Sequence, residues 1–141
     1  MQHLFLEGNN PPSKLAEHIA RELAAYDDVI AIVLFGSVAS GRARKSSDID
    51  ICIITTKDIP DSTKSDLLSF GSDIIDISLF YDLPITIRFR VIREGKILFS
   101  RDTLALHAIT ADTVREYLNI APFIRRNSLR SLGITGSPPH G

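Results

Sequence analysis

Two carboxylates one residue apart, Asp48 and Asp50, open the apolar run Asp48 to Thr55. In an extended strand alternate side chains share a face. Asp48 and Asp50 therefore point one way, and Ile49, Ile51 and Ile53 the other. The isoleucines mark the core side, so the two acids stand together on a wall of the sheet. Like charges at that spacing repel. A hard divalent cation such as Mg²⁺ removes the conflict, because it binds carboxylate oxygens and keeps positions for water and phosphate. A later run, Asp73 to Phe80, repeats the pattern, with Ile75, Ile77 and Leu79 on one face and Asp76 and Ser78 on the other. Burying an unpaired carboxylate is costly, although an edge strand would expose Asp76 harmlessly. If the two strands are neighbours, Asp76 reaches the metal region. Three acids around one or two Mg²⁺ ions suit activation of an attacking oxygen and stabilisation of a leaving pyrophosphate. In that scheme Asp48, Asp50 and Asp76 are metal ligands and catalytic residues, and Asp76 accepts the proton of the incoming hydroxyl.

A second pair complements the acids. Gly36 and Ser37 leave the apolar run Val29 to Phe35. Glycine lets a backbone approach a phosphate, and an amide and hydroxyl at a helix start can hydrogen-bond its oxygens. Residues 38–43 could form that short helix; Gly41 to Lys45 is a basic loop, and Ser47 precedes the acids. Taken singly these features are bland, since Gly-Ser after a strand is commonly a turn and Asp-x-Asp is common at a strand start. Their order is what points to one nucleotide-binding site at Gly36, Ser37 and Ser47 beside the metal.

The surrounding elements follow from periodicity. From Ser13 to Tyr26 the residues Leu15, Ile19, Leu23 and Tyr26 recur at helical spacing. Val29 to Phe35 and Asp48 to Thr55 are β-branched runs that read as strands. Asp61 is a good N-cap for a helix over 62–70, with Leu67, Leu68 and Phe70 inward and Gly71 as its stop. The stretch Ile85 to Gly95 fits both helical spacing and strand alternation; Pro84 favours a helix. Ile97 to Phe99 reads as a short edge strand. A long helix or helix pair runs from Asp102 or Thr103 to about Leu132, with Leu104, Leu106, Leu118 and Phe123 among its apolar positions and Pro122 as a break or kink. The expected class is α+β, a small mixed sheet flanked by helices. One domain over 1–132 is expected, followed by a disordered tail over 133–141.

Composition bounds the rest. The chain has 141 residues, net charge −1 and a single cysteine. Near-neutral charge gives no global argument for nucleic acid or membrane binding. Cys52 rules out an internal disulfide and fits a reducing cytoplasm; inside an apolar run it reads as a buried structural thiol. The N-terminus lacks a signal-peptide layout, and no apolar run reaches the roughly 18 residues of a spanning helix. A cytoplasmic protein is expected. His3, His18, His107 and His140 lack metal-ligand spacing. GSVASG is neither a hydrolase elbow nor a P-loop. Arg88, Arg90, Arg93 and Lys96, and Arg125, Arg126 and Arg130, are basic runs that suit a solvated helix face or a contact surface for an acidic partner or RNA.

The combination of Gly36, Ser37, Gly41, Ser47, Asp48, Asp50 and Asp76 resembles the nucleotidyltransferase superfamily of DNA polymerase β type, and within it the minimal nucleotidyltransferases of bacteria and archaea. The resemblance spans about Leu15 to Phe99. One position departs: an Arg often precedes the second Gly of the family pattern, and Ser40 stands there, so Arg42 or Arg44 would supply positive charge near the triphosphate. The resemblance implies a polymerase β-like fold and Mg²⁺-dependent transfer of AMP from ATP to a hydroxyl, with release of pyrophosphate. It also implies a partner, because many small relatives are antitoxins that adenylylate a tyrosine of a HEPN-domain toxin. Two alternatives stand beside that role: a non-catalytic antitoxin acting by binding alone, and a stand-alone transferase for a small molecule such as an aminoglycoside. The acceptor and the oligomeric state stay open.

Overall fold

The computed structural model describes residues 4–5, 11–36 and 49–131, with side chains placed over 14–36 and 49–127. Among the described residues five strands and four helices follow in the order β1 (Leu4–Phe5), α1 (Pro11–Leu23), β2 (Val29–Phe35), β3 (Ile49–Thr55), α2 (Asp61–Leu68), β4 (Ile75–Leu79), α3 (Ile85–Glu94), β5 (Lys96–Ser100) and α4 (Thr103–Ser131). A 3₁₀ turn, Phe80–Asp82, links β4 to α3. The sheet order is β1-β5-β2-β3-β4. All pairs are antiparallel except β3 with β4. A parallel pair needs a crossover, and α2 supplies it. The result is the mixed sheet with flanking helices that the sequence predicts.

Both faces of the sheet are covered, which explains why β2 and β3 are nearly continuous apolar runs. On one face Ile49, Ile51, Ile53, Ile75, Ile77 and Leu79 pack with Ala16, Ala20 and Leu23 of α1 and Leu67 of α2. On the other, Ala31, Val33, Cys52 and Ile54 pack with Phe80, Val91 of α3 and Leu106 of α4. The isoleucine face is thus one of two cores. On the face carrying Asp50 that carboxylate stands at the strand's open end, and Cys52 and Ile54 farther along are fully buried.

Several expectations need correction. β5 is an interior strand between β1 and β2, not an edge. Pro60 occupies the N-cap of α2 without a side-chain bond, and Asp61 is the first helical residue, where its charge faces the positive end of the helix. Leu67 faces inward, but Leu68 is 45% exposed, since a helix this short presents one residue per turn to β4. α1 ends at Leu23, and a turn reaches Tyr26. α4 continues through Pro122 without a break. Leu104, Leu118 and Phe123 are exposed, because α4 packs through the side bearing Leu106 and Ile109. The segment 133–141 lies outside the described residues.

One side chain unmarked by any motif joins the layers. Arg101 donates from Nε to the Val29 carbonyl at 2.8 Å and from Nη2 to the carbonyls of Tyr26, at 3.2 Å, and Ala24. Its guanidinium lies 5.1 Å from the Phe99 ring centroid. It ties the end of α1 and the start of β2 to the end of β5.

Candidate nucleotidyl-transfer site

The parallel β3–β4 register sets Asp50 opposite Asp76, with Cys52 opposite Ser78 one step along. Neighbouring strands lie about 4.8 Å apart and opposed residues share a face. The two carboxylates are therefore adjacent on the face opposite the isoleucines. The Ile49 amide donates to the Ile74 carbonyl at 2.7 Å, closing the start of this pair and fixing the register. Asp50 is half-buried and Asp76 exposed. The pair thus stands at the sheet's rim, where solvent and a ligand can reach it.

On the other side of β3, Phe35 is the register partner of Asp50. Gly36 follows, with φ of +84°, the left-handed region that favours glycine. A Cβ at Gly36 would fall inside contact distance of Asp50 Oδ2 and 3.3 Å from its Cγ. Glycine is needed here twice, for the backbone turn and for room beside the carboxylate. The site therefore spans three strand ends, from Gly36 through Asp50 to Asp76.

The donor chemistry suits a hard cation. Two carboxylates on a stiff sheet offer oxygen ligands and no sulfur or nitrogen, the preference of Mg²⁺. Cys52 is close along the strand but has no part in this, since burial pushes its thiol up to about 12 and it stays protonated. Among the described residues no group of three or more His, Cys, Asp or Glu gathers at one point. Asp48, Ser37, Ser47, Gly41, Arg42 and Arg44 lie outside the described residues.

The basic run on α3 is largely committed to ion pairs and one hydrogen bond to the backbone. Arg88 donates to the Leu83 carbonyl at 3.0 Å and to Glu116 of α4 at 3.3 Å. Arg90 and Arg93 both pair with Glu94. Phe89 stacks on Tyr117 of α4 with centroids 3.9 Å apart, so the α3 run serves the contact between helices. The position that sequence reasoning missed at the site is Phe35, whose only signal was its place before Gly36.

Comparison with known proteins identifies the family. The family model described as "Polymerase beta, Nucleotidyltransferase" matches residues 17–104. A Methanocaldococcus jannaschii protein, provisionally named a protein adenylyltransferase, is 30% identical over 104 residues, covering 74% of this chain and 82% of the relative. Among solved structures, a chain of a toxin–antitoxin complex with AMP-PNP aligns with a TM-score of 0.65 at 19% identity, over 82% of this chain and 97% of that one. A chain from a tri-AMPylated Shewanella oneidensis HEPN toxin in complex with its MNT antitoxin aligns with a TM-score of 0.60 at 18% identity, over 84% and 97%. The two structures share the fold. With the matched span running from α1 to the start of α4, the chain belongs to the polymerase β nucleotidyltransferase family and is itself a nucleotidyltransferase.

Proposed function

We propose that this nucleotidyltransferase moves AMP from ATP to a hydroxyl of a partner protein, and that the partner is a HEPN-domain toxin modified on tyrosine. The observation that carries the reaction is the Asp50–Asp76 register beside Gly36. The protein acceptor is supported by the M. jannaschii relative, named for adenylyl transfer to protein. The toxin is supported by the complexes in which the similar folds occur.

Asp50 and Asp76, with Asp48 before β3, are the residues that would hold Mg²⁺. Bound there, the ion would offset the charge of the triphosphate and ease loss of the proton from the attacking hydroxyl. Asp76, exposed at the rim, takes the proton of the incoming hydroxyl. The hydroxyl oxygen forms a bond to the α-phosphorus, and the bond from that phosphorus to the bridging oxygen of pyrophosphate breaks. Gly36 keeps side-chain bulk from the phosphates, and Ser37 and Ser47 donate to their oxygens. The fixed β3–β4 register holds the acids ready, so little reorganisation is needed during transfer.

The test is co-expression with a candidate HEPN-domain partner and transfer of label from α-labelled ATP. Wild type labels the partner; Asp50→Ala and Asp76→Ala do not. Retention of transfer in either variant refutes the assignment. Neutralisation that survives without transfer would favour a binding-only antitoxin, and labelling of aminoglycosides without any partner would favour a small-molecule transferase.

A further inference from the structure

The Asp50 face carries a second concavity, separate from the carboxylates. A cavity of about 320 Å³ lies between β2, β3 and β5 on one side and α3 and α4 on the other. Val33, Ile54, Val91 and Leu106 form much of its apolar wall. Asp50, Asp76, Gly36 and Phe35 do not line it. Val33 precedes Phe35 by two residues, about 7 Å along β2. The cavity is thus a neighbour of the transfer site and not part of it.

Its polar groups are few and placed together. Thr103, His107 and Thr110 follow one another at helical spacing along α4, and Ser100 ends β5. Ser100 decides the reading. It is 7% exposed, and its Oγ has no hydrogen-bond partner among the described residues. Buried hydroxyls are ordinarily paired, and leaving one unpaired is costly. Among the described residues no Lys, Arg, Asp or Glu lines the cavity, and His107 is the titratable group that does. A phosphate or carboxylate would lose its water there and find only the His107 imidazole as a partner for its charge, so the described walls suit a neutral ligand better than a nucleotide. The volume is at the small end of ligand pockets, and a mostly apolar wall with a few placed polar groups is their usual make-up.

We propose that this cavity binds a small neutral ring compound, its ring against the sheet and its hydroxyl or N–H paired with Ser100 Oγ. Such a ligand bridges α4 to the sheet and stabilises the fold by mass action. The site stands apart from the nucleotidyl-transfer reading.

Indole is the probe, since it is a neutral ring with one N–H donor; toluene lacks the donor and benzoate adds a charge. In the full-length, methyl-labelled protein, indole shifts the methyl signals of Val33, Ile54, Val91 and Leu106 saturably. Ser100→Ala weakens indole about five- to tenfold and leaves toluene unchanged. Thr110→Trp, which fills the cavity from its rim, removes both. Benzoate leaves these methyls unmoved. The melting temperature of the wild type rises with indole, which checks binding independently of the variants' folding. Absence of saturable shifts, as from a cavity holding only water, overturns the proposal. So do shifts centred on exposed Leu104 and Leu118, unchanged indole affinity in Ser100→Ala, or benzoate binding as tight as indole. Asp50→Asn retains indole binding whether or not transfer is lost, so failure of either reading is seen separately.

Discussion

Replacing Gly36 by alanine separates the two demands placed on that residue. At φ of +84° an L side chain costs about 1–2 kcal/mol. The added Cβ also meets the Asp50 carboxylate, the side chain that must yield because β3 is held on both sides by β2 and β4. The fold should survive, since a domain commonly holds about 5–15 kcal/mol in reserve. The melting temperature should fall by roughly 3–10 °C. Transfer should fall much further. The methyl displaces Asp50 Oδ2 by about 1 Å, and errors of that size in a positioned reacting group cost about 100-fold. The assay pairs thermal unfolding with the initial rate of label transfer from ATP, both at saturating Mg²⁺. Full transfer activity in Gly36→Ala would mean that the glycine serves the turn alone and that room beside Asp50 is not required. Raising Mg²⁺ should not restore the rate, since the displaced oxygen and not the ion is the defect.

Other substitutions have equally definite outcomes. Arg101→Met leaves the carbonyls of Val29, Tyr26 and Ala24 short of a charged donor, and should cost about 2–4 kcal/mol in urea unfolding; a loss under about 0.5 kcal/mol would show that the tie is decorative. Leu106→Ala should cost about 2–4 kcal/mol, whereas Leu104→Ser and Leu118→Ser on the same helix should each stay within about 0.5 kcal/mol, because only Leu106 is buried. Burial raises the Cys52 thiol from 9.0 to about 12, so the fold favours the protonated form. That contribution is full below pH 9 and is lost as the pH rises from 9 to 12, at about 1.4 kcal/mol per unit. The stability gap between wild type and Cys52→Ala should narrow by about 1.4 kcal/mol between pH 8 and pH 10; an unchanged gap would contradict the burial argument.

Most of the layout was legible in local pattern. The β-branched runs of β2 and β3 and the alternation around Asp76 placed three strands, because each pattern is enforced by burial of that strand's own side chains. Pro84 resolved the ambiguous stretch correctly, and α3 is a helix. What local pattern could not supply was pairing. β5 has the length of an edge strand yet lies inside the sheet, because Leu4 and Phe5, distant in sequence, pair with Ser100 and Phe99. Likewise Leu104 and Leu118 have the same composition cues as Leu106, and only the docking of α4 distinguishes them. At the site, alternation put Asp50 and Asp76 on matching faces, but their direct opposition needed the parallel register that α2 makes possible. Arg101 was invisible, since its partners are backbone carbonyls, which leave no trace in residue identity. Ser37, Ser47 and Asp48, read from their motif, lie outside the described residues.

Asp50 and Asp76 are proposed to act as one cation-binding pair beside Gly36. Paramagnetic broadening by Mn²⁺ in the presence of a non-hydrolysable ATP analogue tests it most directly. Amide signals of Gly36, Asp50 and Asp76 should broaden together at low Mn²⁺, while those of Leu23 and Ser100 stay sharp. Asp50→Asn and Asp76→Asn should each abolish the effect, and the double variant should be no worse than either. Broadening that persists in Asp76→Asn, or that centres elsewhere on the molecule, would mean that the two carboxylates do not share a cation.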